Sequence, residues 1–150
     1  MTGDASLEAD DAEVIWCIGQ RERVAAYLRS QRLLHGEIGE WPAWHLMPYC
    51  SLWVVESLSV PGAIGWWVIC GDMPSDYVSS KDVPNPQHPR KAMRVFAQTW
   101  LRAVEAWKAD EEVDNFVVGT PENRAVIMPA LEKRAHLLFD FANQDEWWNE

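Results

Sequence analysis

Two apolar runs, YCSLWVVES at residues 49–57 and IGWWVICG at 64–71, constrain this chain most. Both are rich in Val, Ile, Trp and Tyr, and the LSVPGA between them carries a Pro-Gly turn signal, so they predict a β-hairpin. A two-stranded hairpin is marginal in water and needs cover. Trp66 and Trp67 sharpen that need, because neighbours on a strand point to opposite faces. Glu56, inside the first run, reads as a half-buried carboxylate.

The cover has to come from helices. Residues 11–34 place Val14, Cys17, Ile18, Arg21, Val24, Ala25 and Leu28 on one helical face, with Asp10 or Asp11 to cap the start and Gly36 past the end. Arg21 breaks that apolar stripe and is expected to reach solvent or a carboxylate. Residues 89–109 give the clearest helix, with Met93, Phe96, Ala97, Trp100, Val104 and Trp107 in line and Pro89 at the first position. Residues 120–143 open on TPEN, a Thr cap followed by Pro; Pro129 is expected to split the segment into a short turn and a second helix with Leu131, Ala135, Leu138 and Ala142 inward. The connection 36–48, GEIGEWPAWHLMP, has two tryptophans and two prolines and reads as packed rather than flexible. The order predicts a single α+β domain over 1–150, helix-strand-strand-helix-helix. A central hairpin or small antiparallel sheet is packed by about three helices, and the acidic segment 1–10 is flexible.

Charge narrows the function classes. The net charge is −10, but residues 1–13 hold five acids and no base, and residues 145–150 hold three more. The rest has 15 acids against 13 bases, nearly neutral and without a Lys/Arg stripe, which argues against nucleic acid. No run of about 18 apolar residues predicts a membrane span. The N-terminal MTGDASLEADDAE lacks the basic and apolar regions of a secretory leader. Cys17, Cys50 and Cys70 are isolated in apolar runs, with no CxxC pair, so core packing in a reduced, cytoplasmic protein is expected.

Candidate chemistry concentrates between residues 72 and 90, in DMPSDYVSSKDVPNPQHPR, read as a long loop. The helix it feeds starts with Arg90, Lys91 and Arg94 and ends near Asp110, Glu111 and Glu112, the reverse of what the helix dipole favours. Two compensations fit. Asp72 or Asp76 can fold back onto Arg90 or Arg94 as a clasp, with Arg21 a further partner, or an external anion can bind beside Arg90. The clasp needs no ligand and is the expected arrangement. A catalytic reading would use Asp72, Asp76, Tyr77, His88 and Arg90, but no HExxH, P-loop, GxSxG or GxGxxG accompanies them, and His35, His45 and His136 are scattered. His88, just before Pro89, reads as a helix boundary. No metal site and no cofactor are expected.

Ten tryptophans in 150 residues is high usage. Trp41, Trp44, Trp147 and Trp148 lie outside the predicted regular elements and serve either as caps on a small core or as interface anchors.

The segments YLRSQ, PAWHLMPYCSLWVVES, GWWVICGDMPSDY, HPRKAMRVFAQTW and LEKRAHLL together resemble an uncharacterised bacterial family of small soluble proteins, a domain of unknown function, over roughly residues 15–148. Its most specific parts are Gly-Asp-x-Pro-x-Asp-Tyr at 71–77 and His-Pro-Arg at 88–90. The resemblance implies a single bacterial cytoplasmic domain and carries no mechanism with it. The residues themselves favour a non-enzymatic protein-interaction module: an adaptor, a regulator or an immunity-type inhibitor with a protein partner. The alternatives are a small-molecule or anion-binding domain, an enzyme included, built on the 72–90 loop, and a homodimer whose hairpin or tail self-associates.

Overall fold

The computed structural model describes residues 2–148 except Asn115, with side chains from Asp11 onward. The side chains of the acidic segment 1–10 thus lie outside the described residues. The element order is α1 (Thr2–Ser30), β1 (Trp44–Leu46), β2 (Cys50–Glu56), β3 (Ile64–Gly71), β4 (Met73–Ser79), α2 (Pro89–Lys108) and α3 (Arg124–Ala142), with 3-10 turns at Ser80–Asp82 and Asp145–Trp147. This is the expected α+β class, with the hairpin enlarged to a four-stranded antiparallel sheet in the order β1-β2-β3-β4. Backbone contacts divide the chain into two compact units, residues 1–77 and 78–150. Among the described residues no helix is long and apolar enough to cross a membrane.

In the first unit, β2 and β3 pair as the sequence implies, with Trp53 opposite Val68 and Val55 opposite Trp66. Strand alternation sends Trp53, Val55, Val68 and Cys70 to one side, where they pack with Val24 and Leu28 of α1 and with the half-buried Trp66 and Tyr77. Leu52, Trp67 and Ile69 occupy the opposite face and are also buried, so Trp66 and Trp67 do point apart. The new strands come from two misread segments. Residues 44–46, within the Gly/Pro/Trp connection, pair with 50–52 as an edge strand. Residues 73–79, within the expected long loop, form β4 next to β3. The return is made at Gly71, which has φ of +144°; a Cβ there would lie 2.2 Å from the Tyr49 carbonyl oxygen, so only glycine fits. The prolines of the segment hid the strand, since Pro74 is tolerated in an edge strand but counts against one in sequence.

Helix α1 departs from its sequence reading in extent and in facing. It runs from Thr2 rather than from residue 11, so neither Asp10 nor Asp11 stands at its start. It stops before Arg32, whose φ is +55°; the Arg32 N–H donates to the Arg29 carbonyl and the Leu33 N–H to the Leu28 carbonyl. These paired bonds are the Schellman stop, with Leu33 packed on the cluster that holds Leu28, and Gly36 has no part in it. Inward, α1 presents Cys17, Gln20, Val24 and Leu28. Val14 and Ile18, expected on the core face, are exposed. The core face is rotated because a polar residue takes a core position. The Gln20 amide oxygen accepts from the Ser51 hydroxyl at 3.0 Å and from the Cys70 thiol at 3.0 Å, while the Trp53 indole donates to the Ser51 oxygen at 2.9 Å. A buried polar residue whose oxygen is satisfied in this way is tolerated inside, and periodicity does not detect it.

In the second unit, α2 begins at Pro89 as expected, and His88 is its N-cap, with Nδ1 accepting from the Arg90 backbone N–H at 3.1 Å. Met93, Phe96, Ala97, Trp100 and Val104 are buried, as the stripe predicts, while Trp107 at its end is half-buried. The helix ends in a second Schellman stop at Asp110, with φ of +58°. Leu131, Ala135, Leu138 and Ala142 of α3 are buried, again as predicted. Pro129 does not split α3, which is continuous from Arg124 to Ala142; its N-cap position is Asn123 rather than Thr120, and the Asn123 side chain makes no capping bond, accepting instead from the Thr120 N–H at 2.7 Å. Pro129 lies on the exposed side, so its missing N–H removes one ladder bond while the buried side keeps the helix in place.

Candidate functional site

The candidate residues fall into three settings. The first is the start of α2. Arg90, on the buried side, donates from Nε to the Ala142 carbonyl at 2.7 Å and pairs through its guanidinium with the Asp145 carboxylate; Arg94 reaches the same carbonyl at 3.5 Å. Ala142 is the last residue of α3, so the basic start of α2 meets the negative dipole end of its neighbour. At the opposite end, Arg124, the first residue of α3, makes two 2.8 Å bonds with Glu112 just past α2, and Lys108 reaches Glu132 at 3.1 Å. The inverted charge of α2 is therefore matched by its neighbouring helix. Next to this, Trp148 is buried, with its indole N–H donating to the Phe141 carbonyl at 3.1 Å and its ring 6.0 Å from that of His88. Trp147 is 40% exposed and lies 5.6 Å from the Phe141 ring.

The second setting is β4 and the turn before it. Asp72 is exposed in the turn. Asp76 is buried, and its Oδ1 accepts from the Tyr77 N–H at 2.8 Å. The Tyr77 ring lies 5.7 Å from Trp66, edge-on, and 6.1 Å from Tyr27. The Tyr27 hydroxyl is buried with no hydrogen-bond partner among the described residues, and burial, followed by the negative charge of Asp76, drives its pKa far up.

The third setting is the outer flank of α1 with segment 38–45, where sequence reasoning missed the arrangement. Arg21 is half-buried and meets no carboxylate among the described residues; it donates to the Gly39 and Ile38 carbonyls, each at 2.9 Å, and pins that segment to α1. His45 on β1 shares a 2.6 Å hydrogen bond with Glu13, its ring lying 6.2 Å from Trp16 and 5.8 Å from Trp41, the latter edge-on. Trp44 is half-buried on the same strand. Around these tethers stand Ile15, 69% exposed, Ile18, 54% exposed, and Trp41, 47% exposed. A groove of about 340 Å³ opens between Ile18, Arg21, Glu22 and Glu40. The signal was present in the sequence: Val14, Ile15, Trp16, Cys17 and Ile18 are five consecutive apolar residues, which at about 100° per residue go all the way round the helix, more than one buried face can take.

The thiols are sealed. Cys17, Cys50 and Cys70 are buried and free, and burial pushes each thiol up; for Cys70 the Ser51 hydrogen bond opposes this only in part. A thiol of this kind carries little thiolate near neutrality. Among the described residues no group of three or more His, Cys, Asp or Glu is placed to hold a metal ion.

Neither curated proteins nor solved structures yielded a match. Residues 10–148 do match a family model described as Domain of unknown function (DUF4826), nearly the whole of the described fold, and the chain belongs to that family.

Proposed function

We propose that the chain is a non-enzymatic protein-interaction module, an adaptor, regulator or immunity-type inhibitor, that docks its partner on the outer flank of α1. The observation that carries this reading is the exposure of Ile15 and Ile18 on α1 and of Trp41 on the segment that Arg21 and the Glu13–His45 bond tether to that helix. Scattered exposed apolar residues are ordinary, but isoleucines and a tryptophan exposed on two elements tethered to each other, with glutamates lining the groove at Ile18, have the composition of an interface core. Tethering also lowers the entropy lost on binding, since Arg21 and the Glu13–His45 bond already hold the two sides of the surface. The sequence-based pairing of Asp72 or Asp76 with Arg90 or Arg94 remains part of the proposal as a structural clasp, testable by a double-mutant cycle on stability.

Affinity capture tests the docking reading. The chain and its Ile15→Asp/Ile18→Asp variant are immobilised side by side and offered extract of the source cells. A protein retained by the first and released by the second supports the reading, provided circular dichroism gives both the same helix content. Identical retention profiles overturn it.

A further inference from the structure

The surface also specifies the chemistry of its occupant. Below Ile18 the groove is walled by Glu22 and Glu40, with Arg21 already bonded to the Ile38 and Gly39 carbonyls. Glu40 is shared with a second hollow of about 400 Å³, between segment 37–40 and the β2–β3 turn, whose lining adds Glu37 and Glu56. Across the two hollows four glutamates face one arginine. The outward line of α1 reads Asp11, Ile15, Ile18, Glu22, at steps of four, three and four residues. That spacing is the seam by which one helix receives another, with isoleucines at its centre and acids at its two ends.

Resting on the docking reading above, we infer that the partner element is a basic amphipathic helix, its apolar face laid on Ile15, Ile18 and Trp41 and its Lys/Arg flanks on the glutamates. A second copy of this flank fits poorly, since it would bring the same acids against them, and like charges across an interface select against self-pairing.

The test uses the whole chain and three fluorescein-labelled peptides: an amphipathic Leu–Lys helix, its Leu–Glu counterpart, and a Leu–Lys peptide of the same composition in scrambled order. Fluorescence anisotropy is expected to show the amphipathic Leu–Lys peptide binding at least about tenfold more tightly than either control. Glu22→Lys/Glu40→Lys is expected to weaken it about tenfold and to narrow its preference over Leu–Glu. Equal binding of the scrambled peptide reduces the effect to charge attraction and overturns the inference, as does a charge reversal without effect. If Leu–Glu binds best and Ile18→Asp abolishes that binding, the partner chemistry falls and the docking surface stands. If Ile18→Asp leaves every peptide bound as before, the docking surface falls as well. A concentration-dependent dimer in sedimentation that Ile18→Asp dissolves overturns the inference in favour of self-association.

Discussion

Helices α1 and α2 are both long and both carry apolar residues, yet they use them differently. In α2 the sequence stripe from Met93 to Val104 is buried and Trp107, at its end, is half-buried. In α1 the inward line is Cys17, Gln20, Val24 and Leu28, and Val14, Ile15 and Ile18 are left outside. The contrast shows that an apolar residue on a helix is not in itself a core residue. What decides is which face finds partners, and in α1 a glutamine with two hydrogen bonds outcompetes an isoleucine for the inside.

The comparison breaks first at Trp100. Trp100→Ala is expected to cost about 3–5 kcal/mol, read as a lower urea midpoint, because it empties a fully buried indole site in α2. A loss near zero would mean that α2 is no better committed to the core than the outer flank of α1. Gln20→Ala comes next, at about 1–3 kcal/mol, because the Ser51 hydroxyl and the Cys70 thiol lose their shared acceptor inside the fold. If Gln20→Ala is neutral, the polar core position does not explain the rotated face of α1.

Alkaline pH gives a third, graded test. Below about pH 9, the ordinary value for a thiol, folded and unfolded chains both keep the Cys50 proton. Above it the unfolded chain releases a proton that the buried Cys50 retains, so stability falls as pH rises, by up to about 1.4 kcal/mol per pH unit for each such thiol. Urea unfolding is expected to show this fall between about pH 8 and about pH 10 and to show less of it in Cys50→Ala. Tyr27 adds to the slope from its ordinary value of 10.0 upward. The smallest effect belongs to the outer flank: Ile15→Asp and Ile18→Asp are expected to move stability by no more than about 0.5 kcal/mol. A loss like that of Trp100→Ala would make the flank part of the fold and remove it as a docking surface.

Legibility in the sequence followed the same division. The β2–β3 hairpin, the N-terminus of α2 and the inward lines of α2 and α3 were readable because one dominant signal, an apolar period or a proline, marks each. Strands β1 and β4 were not, since one is three residues long and the other carries a proline and an aspartate. Helix stops were hidden because Arg32 and Asp110 take the left-handed conformation that sequence rules assign to glycine. Of the candidate site, the chemistry at His88 and the burial of the thiols were legible. The outer surface was not, because it depends on which side of α1 faces in, and that was settled by Gln20, Ser51 and Cys70, residues 31 and 50 positions apart along the chain.

The opposed charges of α2 and α3 have a consequence for how the second unit forms. Arg90 at the start of α2 needs the carbonyl end of α3, and Arg124 at the start of α3 needs Glu112 beyond the end of α2. Each helix opens on a basic residue, Arg90 in α2 and Arg124 in α3, with no acid in its first turn, so each starts on the wrong sign for its own dipole and the stability of each is conditional on the other. The pair thus behaves as one cooperative element whose two halves gain order together, which makes the turn between them a poor place to divide the protein.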